Sequence, residues 1–182
     1  EQKILTDPAS FMQEKRRRTT MPIRHAHLHD LDRLSEIENL CFPPSEGAGR
    51  ESLRNRLAHY ADRFWLYEED GRVVSFVNGL CTGEPHLRDE MYDDAGLHEK
   101  DGSWQMIFGV DTDPAYRGRG FAGTLIKELI RDVKREGRLG VVLTCKEKLI
   151  PWYRTFGFED EGLSDSSHGG VTWHEMRLTF RD

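Results

Sequence analysis

The sequence predicts a single mixed α/β domain in which helices flank a sheet of parallel and antiparallel strands. Three observations carry that expectation. Across residues 104–145 a strand, an amphipathic helix and a short apolar strand follow one another, which is the order of a parallel crossover. Glu69-Asp70-Gly71 separates two strand-like runs, and an Asp-Gly pair is the turn chemistry of an antiparallel hairpin. A length of 182 residues fits one domain rather than two.

Taken in order, residues 1–20 are polar and without sustained period, and read as a flexible extension before a single domain over 21–182. Their cluster Lys15-Arg16-Arg17-Arg18 reads as solvated charge. Residues 22–26 form a short strand, after which Asp30 leads Leu31, Leu34, Ile37, Glu38 and Cys41 at helical spacing. Pro43, Pro44, Gly47 and Gly49 turn 42–49 into a loop with Phe42 at its root. Leu53, Leu57 and Tyr60 mark a second helix, and 64–68 with 72–80 are the hairpin strands. The acidic stretch 83–102 reads as a variable excursion with a short irregular helix around Leu87, Met91, Tyr92 and Leu97.

Strand character returns over 104–112. The helix over 119–136 gathers Ala122, Leu125, Ile126, Leu129, Ile130 and Val133 on one face, with Lys127, Arg131, Lys134 and Arg135 outward. Gly137 stops it. Residues 141–145 are a buried strand, 148–156 a helix ending at Gly157, and 171–180 the last strand.

Composition excludes several classes of function. Charged residues at 32% and hydrophobic residues at 37% describe a globular chain, and no apolar run is long enough to span a bilayer. A net charge of -6 argues against a nucleic-acid partner and suits a small cationic one. Cys41, Cys81 and Cys145 lack metal-ligand spacing and read as reduced, buried thiols, so no metal is expected. No apolar signal core follows the first charged residues, and the expected location is cytoplasmic.

The chemistry concentrates in Asp113-Pro114-Ala115-Tyr116-Arg117-Gly118-Arg119-Gly120-Phe121-Ala122, where a strand ends, the chain turns and a helix begins. Glycines let backbone amides approach an anion there, and the helix dipole favours negative charge by ~0.3 to 1 kcal/mol. Arg117 and Arg119 add charge-assisted contacts. A Walker loop needs a Gly-Lys-Ser/Thr ending and the dinucleotide fingerprint a third glycine, and neither is present.

The segment resembles the Gln/Arg-x-x-Gly-x-Gly/Ala motif of the GNAT superfamily of N-acetyltransferases, with Arg117, Gly120 and Ala122 at the matching places. The similarity runs over 22–180. Cys145-Lys-Glu-Lys-Leu-Ile-Pro-Trp-Tyr153-Arg-Thr-Phe-Gly-Phe158, Phe42-Pro43, Asp70-Gly71-Arg72-Val73-Val74 and Thr172-Trp173-His174-Glu175-Met176 look most like its arylalkylamine N-acetyltransferase branch. The resemblance implies a central sheet splayed open beside strand 104–112, with acetyl-CoA as acyl donor. Val110, Asp111, Thr112, Arg117, Gly118, Arg119, Gly120, Phe121 and Ala122 would bind it.

Transfer of an acetyl group to an amine needs a neutral nitrogen, a polarised thioester carbonyl and a proton for the thiolate. By the resemblance, Tyr153 protonates the CoA sulfur; a reference pKa of about 10 would let it act near pH 8 to 9. A main-chain N–H near 109–111 would polarise the carbonyl, and Phe42, Pro43 and Trp173 would line the acceptor cavity, where an aromatic amine stacks. Met106 and Phe108 stand where that branch carries two histidines, so the base is unassigned among Glu84, His86, His98, His168, His174 and Glu175. The expected partner is a small-molecule amine, acted on by a monomer or homodimer. A protein amine or amino sugar as acceptor, or acyl-CoA binding without turnover, are the alternatives.

Overall fold

The computed structural model describes residues 22–181, so the basic cluster at 15–18 lies outside the described residues. Asp70 and Gly71 take φ of 51° and 77°, the left-handed pair that a two-residue turn between twisted strands requires. They join β2 (Phe64–Glu69) to β3 (Arg72–Asn78), and β1 (Ile23–His25) pairs antiparallel with β2. β4 (Cys81–Thr82), β5 (Trp104–Ile107), β6 (Gly109–Thr112), β7 (Gly140–Cys145), β8 (Glu159–Leu163) and β9 (His174–Thr179) complete the strands among the described residues.

The strand expected over 104–112 breaks at Phe108, and its halves join different sheets. β6 closes a four-stranded antiparallel sheet ordered β1-β2-β3-β6. β5 belongs to a second sheet, β4-β5-β7-β9-β8, in which β5 and β7 run parallel. β6 has β3 on one side and no strand on the other, so a cleft opens between β6 and β7. Gln105 pins the point of divergence: its amide donates to the carbonyls of Gly79 and Met106 at 2.8 and 2.7 Å, and its oxygen accepts from Arg63 at 2.9 Å. Gly79 is required here, since a Cβ would stand 1.9 Å from the Met106 carbonyl oxygen.

Helices α1 (Leu31–Cys41) and α2 (Arg50–Tyr60) cover one face, and α3 (Glu90–Asp93) is a single turn. On that side Leu34, Ile37, Leu53, Phe76 and Met106 share a core. The stretch 83–102 belongs to this core rather than forming a mere excursion, because Leu87, Met91, Tyr92 and Ala95 are buried in it. α4 (Phe121–Arg135) lies on the other face and buries Leu125, Ile126, Leu129 and Val133 against Val77, Val141, Leu143 and Met176. Full burial of each such side chain contributes ~1.5 to 3 kcal/mol. Leu129→Ala is therefore expected to destabilise by ~2 to 5 kcal/mol, seen as a lower urea midpoint at unchanged slope.

β8 was not legible as a strand, and the last strand is shorter than 171–180. β8 alternates half-buried and exposed positions along Glu-Asp-Glu-Gly-Leu, with no apolar face to signal it, and exists through pairing with β9. The helix expected over 148–156 is α5 (Ile150–Arg154), preceded by one turn of 3-10 helix. Cys41, Cys81 and Cys145 are all unpaired, with Cys41 half-buried and the others buried.

Candidate active site

The turn before α4 is set from both ends. Asp113 accepts the Ala115 amide at 3.0 Å and an Arg33 guanidinium N–H at 2.7 Å; that guanidinium holds its carboxyl below the usual carboxylate range. Gly118 and Gly120 then adopt φ of 78° and 79°, where a side chain is strained. Gly120 is the N-cap of α4 and brings no capping side chain, which leaves first-turn amides to an outside acceptor. A Cβ at either glycine would meet nothing within 4 Å, so the cradle faces open space. That space is a groove of about 440 Å³, and a diphosphate fits its donor set.

Val110, Thr112, Arg117, Gly118, Gly120, Phe121 and Ala122 line the groove, as the sequence suggests. Two expected residues point elsewhere. Asp111 is fully buried with its carboxyl turned toward Glu38, because alternation along β6 puts it on the face opposite Val110 and Thr112. Arg119 is tied to Glu69 and lies over the Phe121 ring at 4.8 Å. Arg117, in contrast, donates to the Thr112 carbonyl at 3.3 Å beside the Cys41 sulfur, on the groove wall. Arg117→Ala should thus weaken a diphosphate-bearing ligand about tenfold or more and Arg119→Ala less than threefold, measured by calorimetry at fixed salt. Cys41, Tyr116, Gly123 and Trp152 also line the groove; they carry no motif signal.

β6 offers the cleft its unpaired edge. Asp113 donates its amide to Val74 of β3 at 2.9 Å, so by alternation the amides of Val110 and Thr112 face away from β3. The Thr112 carbonyl is taken on that edge by Cys41 at 3.2 Å and by Arg117.

A second chamber of about 120 Å³ adjoins the groove and shares Phe42 and Val110 with it. Tyr153 and Cys145 form one side, and Phe108, Tyr92, His168 and Trp173 supply aromatic walls. His168 stacks on Tyr92 at 4.6 Å, and its carbonyl accepts from the Trp173 indole at 2.8 Å. Pro43 is exposed outside both voids; its carbonyl accepts from Gly47 and Glu46 and so shapes the loop. Met106 is core, whereas Phe108 faces the chamber with Arg56 over its ring at 5.0 Å.

Of the six candidate bases, His168 lines the chamber and the others do not. His98 accepts the Cys81 amide at 3.1 Å beside Tyr60, His174 pairs with Asp160, and Glu84 with Arg88. His86 and Glu175 meet Glu161 on a different surface, but the Arg177 guanidinium already sits among them. Glu38 and Glu46 reach the chamber without having been singled out.

Tyr153 differs electrostatically from the expectation. Burial, then the acidic groups Cys145 and Asp111, push its hydroxyl well above the ordinary phenol value. It therefore stays protonated throughout the usable pH range. It is also a weaker acid than a free thiol, so toward a thiolate its O–H can serve as a hydrogen-bond donor rather than as a proton source.

The family model described as "Acetyltransferase (GNAT) family" matches residues 31–158. Serotonin N-acetyltransferase of Mesocricetus auratus is 25% identical over 114 residues, covering 62% of this chain and 54% of that protein. This chain thus spans about half the length of that curated relative. Among solved structures, a GphF GNAT-like decarboxylase in complex with isobutyryl-CoA superposes with a TM-score of 0.71 at 21% identity, over 88% of this chain and 100% of that one. The paia N-acetyltransferase of Thermoplasma acidophilum, in complex with coenzyme A, gives 0.65 at 15% identity, over 89% and 100%.

Proposed function

Because the chain belongs to the acetyltransferase (GNAT) family, we propose that it moves an acetyl group from acetyl-CoA to a small primary amine of the arylalkylamine type. The observation that carries this reading is the junction of two voids at Phe42 and Val110, one built for an anion and one walled by aromatic rings. In it, the α4 amides, Arg117, Val110 and Thr112 hold acetyl-CoA, which supplies an activated acyl group. The outward amide of Val110 polarises the carbonyl. Tyr153 donates its O–H to the departing sulfur. Phe42, Trp173 and Tyr92 stack the acceptor ring, while Glu38 favours a cationic nitrogen. Unpaired cysteines suit a cytoplasmic setting.

Incubation of the purified protein with acetyl-CoA and a panel of 2-phenylethylamine, tryptamine, spermidine, glucosamine and a peptide with a free N-terminus tests it. Thiol release and product mass should single out the arylalkylamines. Acetylated peptide or sugar alone would move the acceptor to those classes, and no product with tight acetyl-CoA binding would sink the enzyme reading.

A further inference from the structure

The acceptor amine arrives as an ammonium and must lose a proton, yet neither Met106 nor Phe108 can take one. Behind Gly109 three buried polar side chains converge. Glu38 of α1 is 5% exposed, and Asp111 of β6 and Asn78 of β3 are fully buried. A Cβ built on Gly109 would lie 2.9 Å from Asp111 Oδ1, 3.4 Å from Asn78 Nδ2 and 3.9 Å from Glu38 Oε2. Glu38 Oε2, both Asp111 oxygens and Asn78 Nδ2 have no hydrogen-bond partner among the described residues. Their other atoms are fixed: Glu38 Oε1 accepts the Ala48 amide at 2.8 Å, and Asn78 Oδ1 accepts from Arg56 at 2.9 Å. Two ionised carboxyls buried together without partners are costly, and one proton between them relieves both the repulsion and the missing bond. Glu38 lines the acceptor chamber, and Asp111 sits behind it.

We propose that Glu38 and Asp111 form one proton-sharing acid pair, in which Glu38 takes the proton of the acceptor ammonium and Asp111 is the positioning residue that tunes it. The inference rests on the acetyl-transfer reading and adds the base that reading lacks. The step balances: an N–H bond of the ammonium breaks, its electron pair stays on nitrogen, and the proton joins the doubly ionised pair. The pair goes from two negative charges to one, and the nitrogen becomes a neutral nucleophile.

Burial, then the neighbouring Glu38, raise Asp111 well above the usual carboxylate range, so the upper titration of the pair lies above that of a lone carboxyl. Arg56 from α2 opposes that shift and Cys41 from α1 adds to it. Tyr153 of α5 faces Asp111, and Glu46, Lys146 and His168 stand around the chamber with Glu46 paired to Lys146 at 3.0 Å. The deprotonated pair is the active form, so kcat/KM should climb with pH through that upper titration.

Glu38→Gln and Asp111→Asn, near in shape to the native residues, test the pair once circular dichroism shows that both fold. With 2-phenylethylamine, Glu38→Gln should cut kcat/KM about 100-fold or more at unchanged acetyl-CoA affinity. Asp111→Asn should shift the acid limb down by about one pH unit or more with a smaller loss. A second readout needs no turnover. In the wild-type protein bound to CoA, adding 2-phenylethylamine above the upper titration should raise a protonated-carboxyl infrared band that both variants lack. Variants with the wild-type pH profile, or a wild-type protein without that band, overturn the pair. A band with no acetylated product under any condition supports the pair and overturns acetyl transfer instead.

Discussion

Tyr153→Phe is expected to lower kcat about 100- to 1000-fold while acetyl-CoA affinity and folding stay nearly unchanged. The ring packs against Trp152 at 4.9 Å and Phe158 at 5.9 Å, and phenylalanine keeps both contacts. What disappears is one O–H at the side of the chamber, where the proposed reaction would release the sulfur. Because burial holds that hydroxyl protonated, its loss should scale kcat without creating or deleting a basic limb in the pH profile. Rapid-quench turnover together with calorimetric acetyl-CoA titration separates the outcomes. A parallel fall in kcat and in affinity would make Tyr153 a packing residue only.

Gly120→Asp should act on the other half, weakening acetyl-CoA by about 100-fold or more, or 2.7 kcal/mol. The substitution is strained at φ of 79° but meets no protein atom within 4 Å, so the fold has room for it. The left-handed conformation costs about 1 kcal/mol, less for Asp than for most residues. The larger effect is electrostatic, since a carboxylate would occupy the N-cap and satisfy the amides that a diphosphate otherwise takes. The variant should even unfold at a temperature near that of the native protein. Gly120→Ala, with the strain but not the charge, is the control and should retain most of the affinity. Equal losses in the two variants would assign the effect to backbone strain.

Much of this architecture could be read from residue order. The 3.6-residue stripe through Leu125, Leu129 and Val133 marked α4, and Asp70-Gly71 marked the hairpin, because both rest on local chemistry. The glycine turn before α4 was likewise legible, as two left-handed glycines leading into a helix. The break at Phe108 was not legible, since Met106 to Val110 read as one continuous apolar run; which sheet each half joins is decided by distant partners, Val142 for Met106 and Val77 for Val110. β8 escaped for the same reason, being polar on both faces. Tyr92 read as part of a variable excursion, and its burial follows from packing against Phe108 and His168. Glu38 read as one position on a helix face and Asp111 as part of the acetyl-CoA site. Their meeting behind Gly109 depends on tertiary geometry that no spacing encodes.

The two voids have just Phe42 and Val110 in common, so the rest of each lining can change without touching the other. The donor side is built on β6 and the start of α4, anchored in the sheet and the α4 core. The second chamber takes Phe42 and Glu46 from the loop at 42–49 and His168 and Trp173 from the segment before β9, beside residues of β5 to β7 such as Ile107, Val110 and Leu143. On the proposed reading, sequence drift in those two connections, Phe42 apart, would retarget the acceptor without altering the residues that line the donor groove. For the designer, a library confined to them would explore acceptor range against a constant donor background.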